Sequence, residues 1–315
     1  MEKAVKSMFK IFALFLVLLV SGIQGNAQTW KYMRQEFQFG LGASSFFGEL
    51  GGAKGDAKHD TRDIRFSATR PAISLGYKYM LIPAVSIKAA FNSAILSGDD
   101  ASTKNLVRQN RNLSFKAPVW GADLMVEVYP FSEQITRRYK IRGVGGKSSF
   151  SVSPYVSVGI GVVGFQPKAK LNGEWFKLQP LGTEGQGLGG RPDKYKRYTY
   201  TIPLAIGAKY LIDRNWSVGF ELSVRYTGSD YIDDVSTSYY SNDEIVAAYG
   251  SEAGQLADRG LGLDPTSKET GVINLPGGGK NYLQRGDPNW NDAYSYAIFS
   301  VHYRIRKGTK YIPKF

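Results

Sequence analysis

The chain has 315 residues and a formal net charge of +13, from 40 lysines and arginines against 27 aspartates and glutamates, with two histidines and no cysteine. Lack of cysteine excludes a disulfide framework, a thiolate metal site and a lipid-modified cysteine after a leader; two histidines cannot form a His-based metal cluster. The length suits one large β domain, and no linker or internal repeat divides it.

The N-terminal segment has the parts of a secretory leader. Lys3, Lys6 and Lys10 supply a positive region, Ile11 to Val20 an apolar run, and Gly25-Asn26-Ala27 a small-residue cleavage site. The run is shorter than the roughly 20 residues a spanning helix needs, so residues 1–27 are expected to be a cleaved signal peptide and 28–315 the mature domain. Cleavage removes three lysines and Glu2, which takes the formal charge to +11.

Beyond the leader the dominant pattern is alternation with a period of two, the mark of strands with unlike faces. Eight segments carry it: Glu36 to Gly42, Pro71 to Leu81, Val85 to Leu96, Leu113 to Tyr129, Ser149 to Phe165, Tyr198 to Leu211, Trp216 to Tyr226 and Ala293 to Arg306. The clearest places Trp216, Val218, Phe220, Leu222, Val224 and Tyr226 on one face, against Ser217, Gly219, Glu221, Ser223 and Arg225.

Connections between segments alternate in length. Ile82 to Ala84 and Ile212 to Asn215 are tight turns, whereas the connection after segment seven runs from Thr227 to Asp292. Long loops at one end and short turns at the other are the pattern of outer-membrane barrels, with Pro130 to Ser148 a longer exception on the short-turn side. The fold class expected is therefore all-β: a membrane-spanning antiparallel β-barrel of about eight strands, with long extracellular loops, short periplasmic turns and both termini in the periplasm. Inward positions include Lys78, Lys88, Asp123, Glu127, Lys209, Glu221, Arg225, His302 and Arg304. In a barrel this narrow, charges of both signs should pair across the lumen and fill it.

Candidates for chemistry are few. Ser300 and His302 share a strand face, the minimum for a serine nucleophile with its base, but Ser, His and Arg are ordinary lumen residues and no enzyme is expected. Asp99-Asp100, and Asp230 with Asp233-Asp234, could offer oxygen ligands to calcium; their spacing matches no EF-hand, and such residues ordinarily cap turns, so no metal or cofactor is expected. Gly185 to Gly190 lacks the Lys-Ser/Thr of a phosphate loop and is expected to be a flexible loop.

Basic residues crowd the expected periplasmic side. Arg137, Arg138, Lys140, Arg142 and Lys147, opposed by Glu133 alone, form either a solvated rim or a docking face for an acidic partner. Nucleic acid is not a partner expected outside the cell.

Several segments together resemble a known family. They are Phe46-Phe47-Gly48-Glu49-Leu50; Gly98-Asp99-Asp100 followed by Arg111-Asn112-Leu113-Ser114-Phe115; Leu178 to Gly187; Asp230 to Thr237; and the closing strand. Their order and spacing resemble the PorG-type outer-membrane β-barrel component of the type IX secretion system. The resemblance implies a non-catalytic barrel in outer-membrane lipid that tethers a periplasmic ring containing a lipoprotein, alongside other secretion-system subunits. One departure is that the closing strand is followed by Lys307 to Phe315. A small transport or ligand-binding barrel is the alternative.

Overall fold

The computed structural model describes residues 31–50, 69–103, 105–131, 152–213, 215–261, 272–274 and 280–306. Residues 1–27, expected to be a signal peptide, and the basic connection containing Arg137, Arg138, Lys140, Arg142 and Lys147 lie outside the described residues.

Twelve strands follow in chain order: β1 (Gln35–Phe47), β2 (Arg70–Ile82), β3 (Val85–Asp99), β4 (Ser114–Val128), β5 (Val152–Phe165), β6 (Lys168–Leu171), β7 (Glu174–Lys177), β8 (Tyr198–Leu211), β9 (Trp216–Thr227), β10 (Val272–Asn274), β11 (Lys280–Tyr282) and β12 (Ala293–Ile305). Eight of them form the wall, in the order β3-β2-β1-β12-β9-β8-β5-β4, and β3 pairs with β4 to close the ring. Every pairing is antiparallel. Closure matters because hydrocarbon offers no partner to a sheet edge, so only a ring satisfies every backbone donor and acceptor.

The wall is inverted relative to a soluble sandwich. In β9, Trp216, Val218, Phe220, Leu222 and Tyr226 are exposed, while Ser217, Glu221, Ser223, Arg225 and Thr227 are buried. Phe37, Phe39 and Leu41 of β1, Leu75 of β2, Phe91 of β3 and Phe299 of β12 extend the same outward apolar band. Aromatic residues mark its two rims: Tyr77, Tyr210, Trp216 and Tyr303 near the short turns, Tyr198, Tyr200 and Tyr226 near the long loops. An apolar band between aromatic girdles is the surface a barrel turns toward lipid. The fold is a closed, membrane-spanning, eight-stranded antiparallel barrel, as the alternation predicts.

Strand extents differ from the expectation where small residues interrupt the alternation. The first strand continues past Gly42 to Phe47, because Ala43 to Phe47 remain paired with β12 through Ala297 to Ala293. Besides the short helix Leu106–Arg111 and the hairpin β10–β11, two elements in the long connections escape the alternation. One is the hairpin β6–β7, turned by Asn172 and Gly173 at φ 50° and 95°, the Asn-Gly signal of a type I′ turn. The other is a pair of short helices, α1 (Asn242–Tyr249) and α2 (Ser251–Ala257). Nor is Gly185 to Gly190 a loose loop: Gly185 N donates to Gly182 O, Leu188 N to Gly185 O and Gly187 N to Pro192 O, a run of linked turns. Gly182, Gly185, Gly187 and Gly190 take positive φ there, which is the conformational reason for glycine.

The outward phase yields the first test. Phe220 faces out and packs on Phe299, ring centroids 4.6 Å apart, whereas Ser217 is buried toward the lumen. Phe220→Arg should lower stability in lipid vesicles by about 2–4 kcal/mol, the cost of a cation near the midplane, and Ser217→Ala should unfold at nearly the wild-type urea concentration. Equal midpoints for both variants would contradict this strand phase.

Candidate functional site

Two polar assemblies occupy the barrel. The first fills the lumen at the short-turn end. Glu36 is its hub: the carboxylate accepts from Lys209 Nζ at 2.5 and 2.7 Å, from Arg304 Nη2 at 2.8 Å and from His302 Nδ1 at 2.9 Å, and Lys78 Nζ lies 3.3 Å away. Glu127 sits 3.1 Å from Lys88 and accepts from Tyr129 OH, while Glu221 accepts from Lys88 Nζ at 2.6 Å and from Tyr155 OH at 2.8 Å. Farther along, Asp123 accepts from Arg225 and Asn92, and the Arg225 guanidinium lies over the Tyr296 ring. All nine inward charged positions expected from the alternation are buried in this network. Packing is close: a methyl group at Gly207 would sit 2.5 Å from the Tyr155 ring.

The expected pair Ser300 and His302 does meet, with Ser300 Oγ 2.8 Å from His302 Nε2, and Glu36 completes a Ser-His-Glu array. Triad geometry alone does not make a nucleophile; a reacting carbonyl needs space beside the hydroxyl. Here both side chains are buried, and Gly219 closes over them so nearly that a β-carbon on it would lie 2.8 Å from His302 Nε2 and 3.1 Å from Ser300 Oγ. The Glu36 carboxylate is also shared with three fixed cations.

The second assembly caps the long-loop end, and it is built from the segments singled out in the sequence. Asp100, fully buried, accepts from Arg108 Nε, from Arg111 Nε and Nη2, and from the Leu113 amide. Arg111 then reaches Arg285 O at 2.7 Å and Glu49 O at 3.0 Å, joining three connections. Glu184 accepts from the Ser236 and Thr237 amides, the Thr237 hydroxyl and Arg285 Nη1. Thr183 and Tyr195 donate to Asp234, and the Tyr195 ring stacks on Tyr231 at 4.6 Å. Beneath lies an apolar core that includes Phe46, Leu50, Leu96, Leu113, Phe115, Phe165, Ile232 and Val235. Asp99 caps a turn as expected, through Ala101 N; Asp100, expected to do the same, serves instead as the counter-ion of two arginines.

A third feature sits inside the cap. Glu49, Asp233 and Asp292 bring one carboxylate oxygen each within 4.8 Å of one another, all buried. Burial, then the neighbouring Asp230, raises Glu49 to about 8. Burial likewise raises Asp230 to about 8, with the Asp233 charge adding to it and the Ser236 hydroxyl offsetting part. Asp233 and Asp292 are pushed well above the carboxylate range, by burial first and then by Glu49 and Asp233 respectively.

A family model described as a domain of unknown function, DUF6089, matches residues 10–250. The chain belongs to the DUF6089 family. The match takes in the cap segments through Thr237 and stops before β12, the strand that joins β1 to β9. No curated protein matches the chain. Among solved structures, neisserial surface protein A is 8% identical, with a TM-score of 0.37 over 86% of this chain and 97% of that one. Ail, the attachment invasion locus protein of Yersinia pestis, is also 8% identical, with a TM-score of 0.34 over 87% and 100%. A major outer membrane protein from Thermus thermophilus is 11% identical, with a TM-score of 0.32 over 86% and 99%.

The two assemblies make separable predictions. Glu36→Ala removes the carboxylate shared by Lys78, Lys209 and Arg304, leaving Lys78 with Glu127 at 3.7 Å, and breaking a buried ion pair costs about 3–5 kcal/mol; its urea midpoint should fall accordingly, while Ser300→Ala stays near wild type. A Glu36→Ala midpoint within error of wild type would remove Glu36 as hub. In the cap, Arg111→Lys keeps the charge but loses the guanidinium fork that spans Asp100, Arg285 and Glu49. Loop cleavage by an added protease should accelerate while heat-modifiable gel migration, the sign of an intact barrel, persists. Unchanged cleavage would show that the cap does not depend on that fork.

Proposed function

We propose that this chain is a non-catalytic outer-membrane scaffold, with both termini in the periplasm, that anchors periplasmic components of a protein secretion machine of the type IX, PorG-like kind. The observation that carries the reading is an interior filled, among the described residues, by paired buried charges. A transport barrel needs a path, and here the lumen is filled by paired charges while the long-loop end is closed by a hydrogen-bonded cap. What remains for such a barrel to offer is surface. The cap segments that carry the PorG-type resemblance interlock with one another, which supports kinship and leaves the contact with a ring lipoprotein to the other end.

The short-turn end offers two tight turns, the termini and the basic connection. Arg137, Arg138, Lys140, Arg142 and Lys147 are the proposed contact for an acidic face of the ring. Exposed ion pairs are worth roughly 0.2–1 kcal/mol each, so the test combines them. Replacing all five with Ser or Gln should leave heat-modifiable migration unchanged and reduce recovery of the periplasmic partner in a crosslinked pull-down from native membranes, more so at high salt. Full recovery of partner and full secretion by that variant would move the anchoring surface to the termini. The non-catalytic part has its own check: a fluorophosphonate probe should leave Ser300 unlabelled, and labelling abolished by Ser300→Ala would establish a hydrolase.

A further inference from the structure

Among the described residues of the cap, Arg108, Arg111 and Arg285 stand in ion pairs, while a group of acids shares no ion pair with them and feels only the more distant charge of Arg111. Arg108 and Arg111 are committed to Asp100, and Arg285 to Glu184 and Asp234. Arg111 also approaches Glu49, but at its backbone oxygen, not its carboxylate. Glu49, Asp233 and Asp292 are satisfied only from the main chain: Asp287 N donates to Glu49 Oε1, Leu50 N and Val235 N to the two oxygens of Asp233, and Ile232 N to Asp292 Oδ2. Among the described residues, two oxygens are left over: Glu49 Oε2 and Asp292 Oδ1 have no hydrogen-bond partner, in residues 6% and 0% exposed. Asp230, 7% exposed, lies beside them, its charge acting on Glu49 while the Ser236 hydroxyl faces its own carboxylate.

Isolated buried carboxylates are costly, and natural structures pair them or use them to hold a metal. We propose that Glu49, Asp233 and Asp292 form a binding site for a calcium-sized divalent cation, with Asp230 at its margin. This reverses the expectation that the acidic loop residues only cap turns. The donors are oxygen alone, with no histidine or cysteine, which fits a hard cation and not zinc. They come from two connections, Glu49 from the one after β1 and Asp233 and Asp292 from opposite ends of the one between β9 and β12, an irregular loop framework that suits the flexible coordination of calcium better than the near-ideal octahedron magnesium requires. Gly48 leaves the room: Asp292 Oδ1 lies where a side chain at that position would begin. The cation would tie the exit of β1, the Asp230 to Thr237 segment and the entry of β12 at a single point. The site stands independently of the scaffold role.

Full-length protein in detergent micelles, stripped with a chelator, provides the test. Calcium chloride titrated by calorimetry should show one site with Kd of about 10⁻⁴–10⁻³ M, the range of extracellular modules, and magnesium chloride should bind more weakly. At ten times Kd, calcium should slow protease cleavage of the cap about tenfold, as expected for a ligand that binds only the closed state. Glu49→Gln and Asp292→Asn should lose the calorimetric site. Their caps should resist protease without calcium at least as well as wild type, because each substitution relieves repulsion. Asp243→Asn, at an exposed acid on α1, should bind calcium as wild type does. No heat of binding up to about 10 mM with heat-modifiable wild-type protein, well above that range, would overturn the proposal. So would equal affinity for magnesium, wild-type calcium affinity in both cluster variants, or loss of binding in Asp243→Asn.

Discussion

Closing eight strands into a ring leaves an interior about as wide as the side chains that point into it, and this chain lines that interior with charge. The consequences run in both directions. Outside, each strand must present apolar residues to lipid, because the ring already satisfies the backbone. Inside, charges cannot stand alone away from water, so Glu36, Asp123, Glu127 and Glu221 are matched to Lys78, Lys88, Lys209, Arg225 and Arg304. Removing one partner leaves the others buried and uncompensated, which makes the network all-or-none in a way an apolar core is not.

The cap extends the same logic beyond the membrane band. Its connections are too long to be held by turn geometry alone, and they are fastened by guanidinium forks: Arg111 holds Asp100 of its own connection and crosses to Glu49 O, and Arg285 holds Asp234 of its own and crosses to Glu184. Arginine suits this task because its planar donors address several acceptors at fixed angles. Among the described residues, Glu49, Asp233 and Asp292 accept hydrogen bonds from backbone amides alone. A single bound cation would balance that end of the cap as the lysines and arginines balance the lumen.

Much of the barrel is legible in the sequence, and the reason is periodicity. Alternation assigns Val218 and Phe220 outward and Glu221 and Arg225 inward without any knowledge of partners, and the alternating connection lengths place the long loops at one end. What periodicity cannot convey is which inward residue meets which. Glu36 stands at the edge of its strand, and its partners come from β2, β8 and β12, so nothing local marks it as the hub or as the third member of the Ser300–His302 array. The cap is opaque for the same reason: Glu49 lies just beyond β1 and Asp292 just before β12, and only closure of the ring brings them together. Asp100 is adjacent to a true turn-capping Asp99, and residue type alone could not separate the two roles. The Asn172-Gly173 pair between β5 and β8, by contrast, carries its turn signal in the sequence itself.

Charges that pair across the lumen leave no path for ions, and ionic current measures this most directly. Purified protein reconstituted in planar bilayers, with insertion verified by heat-modifiable migration of the same sample, should show no steady conductance above the bare membrane. A stable, reproducible single-channel conductance from the wild-type chain would mean that water and ions pass the Glu36, Glu127 and Asp123 layers, and would contradict a barrel closed by its own charges.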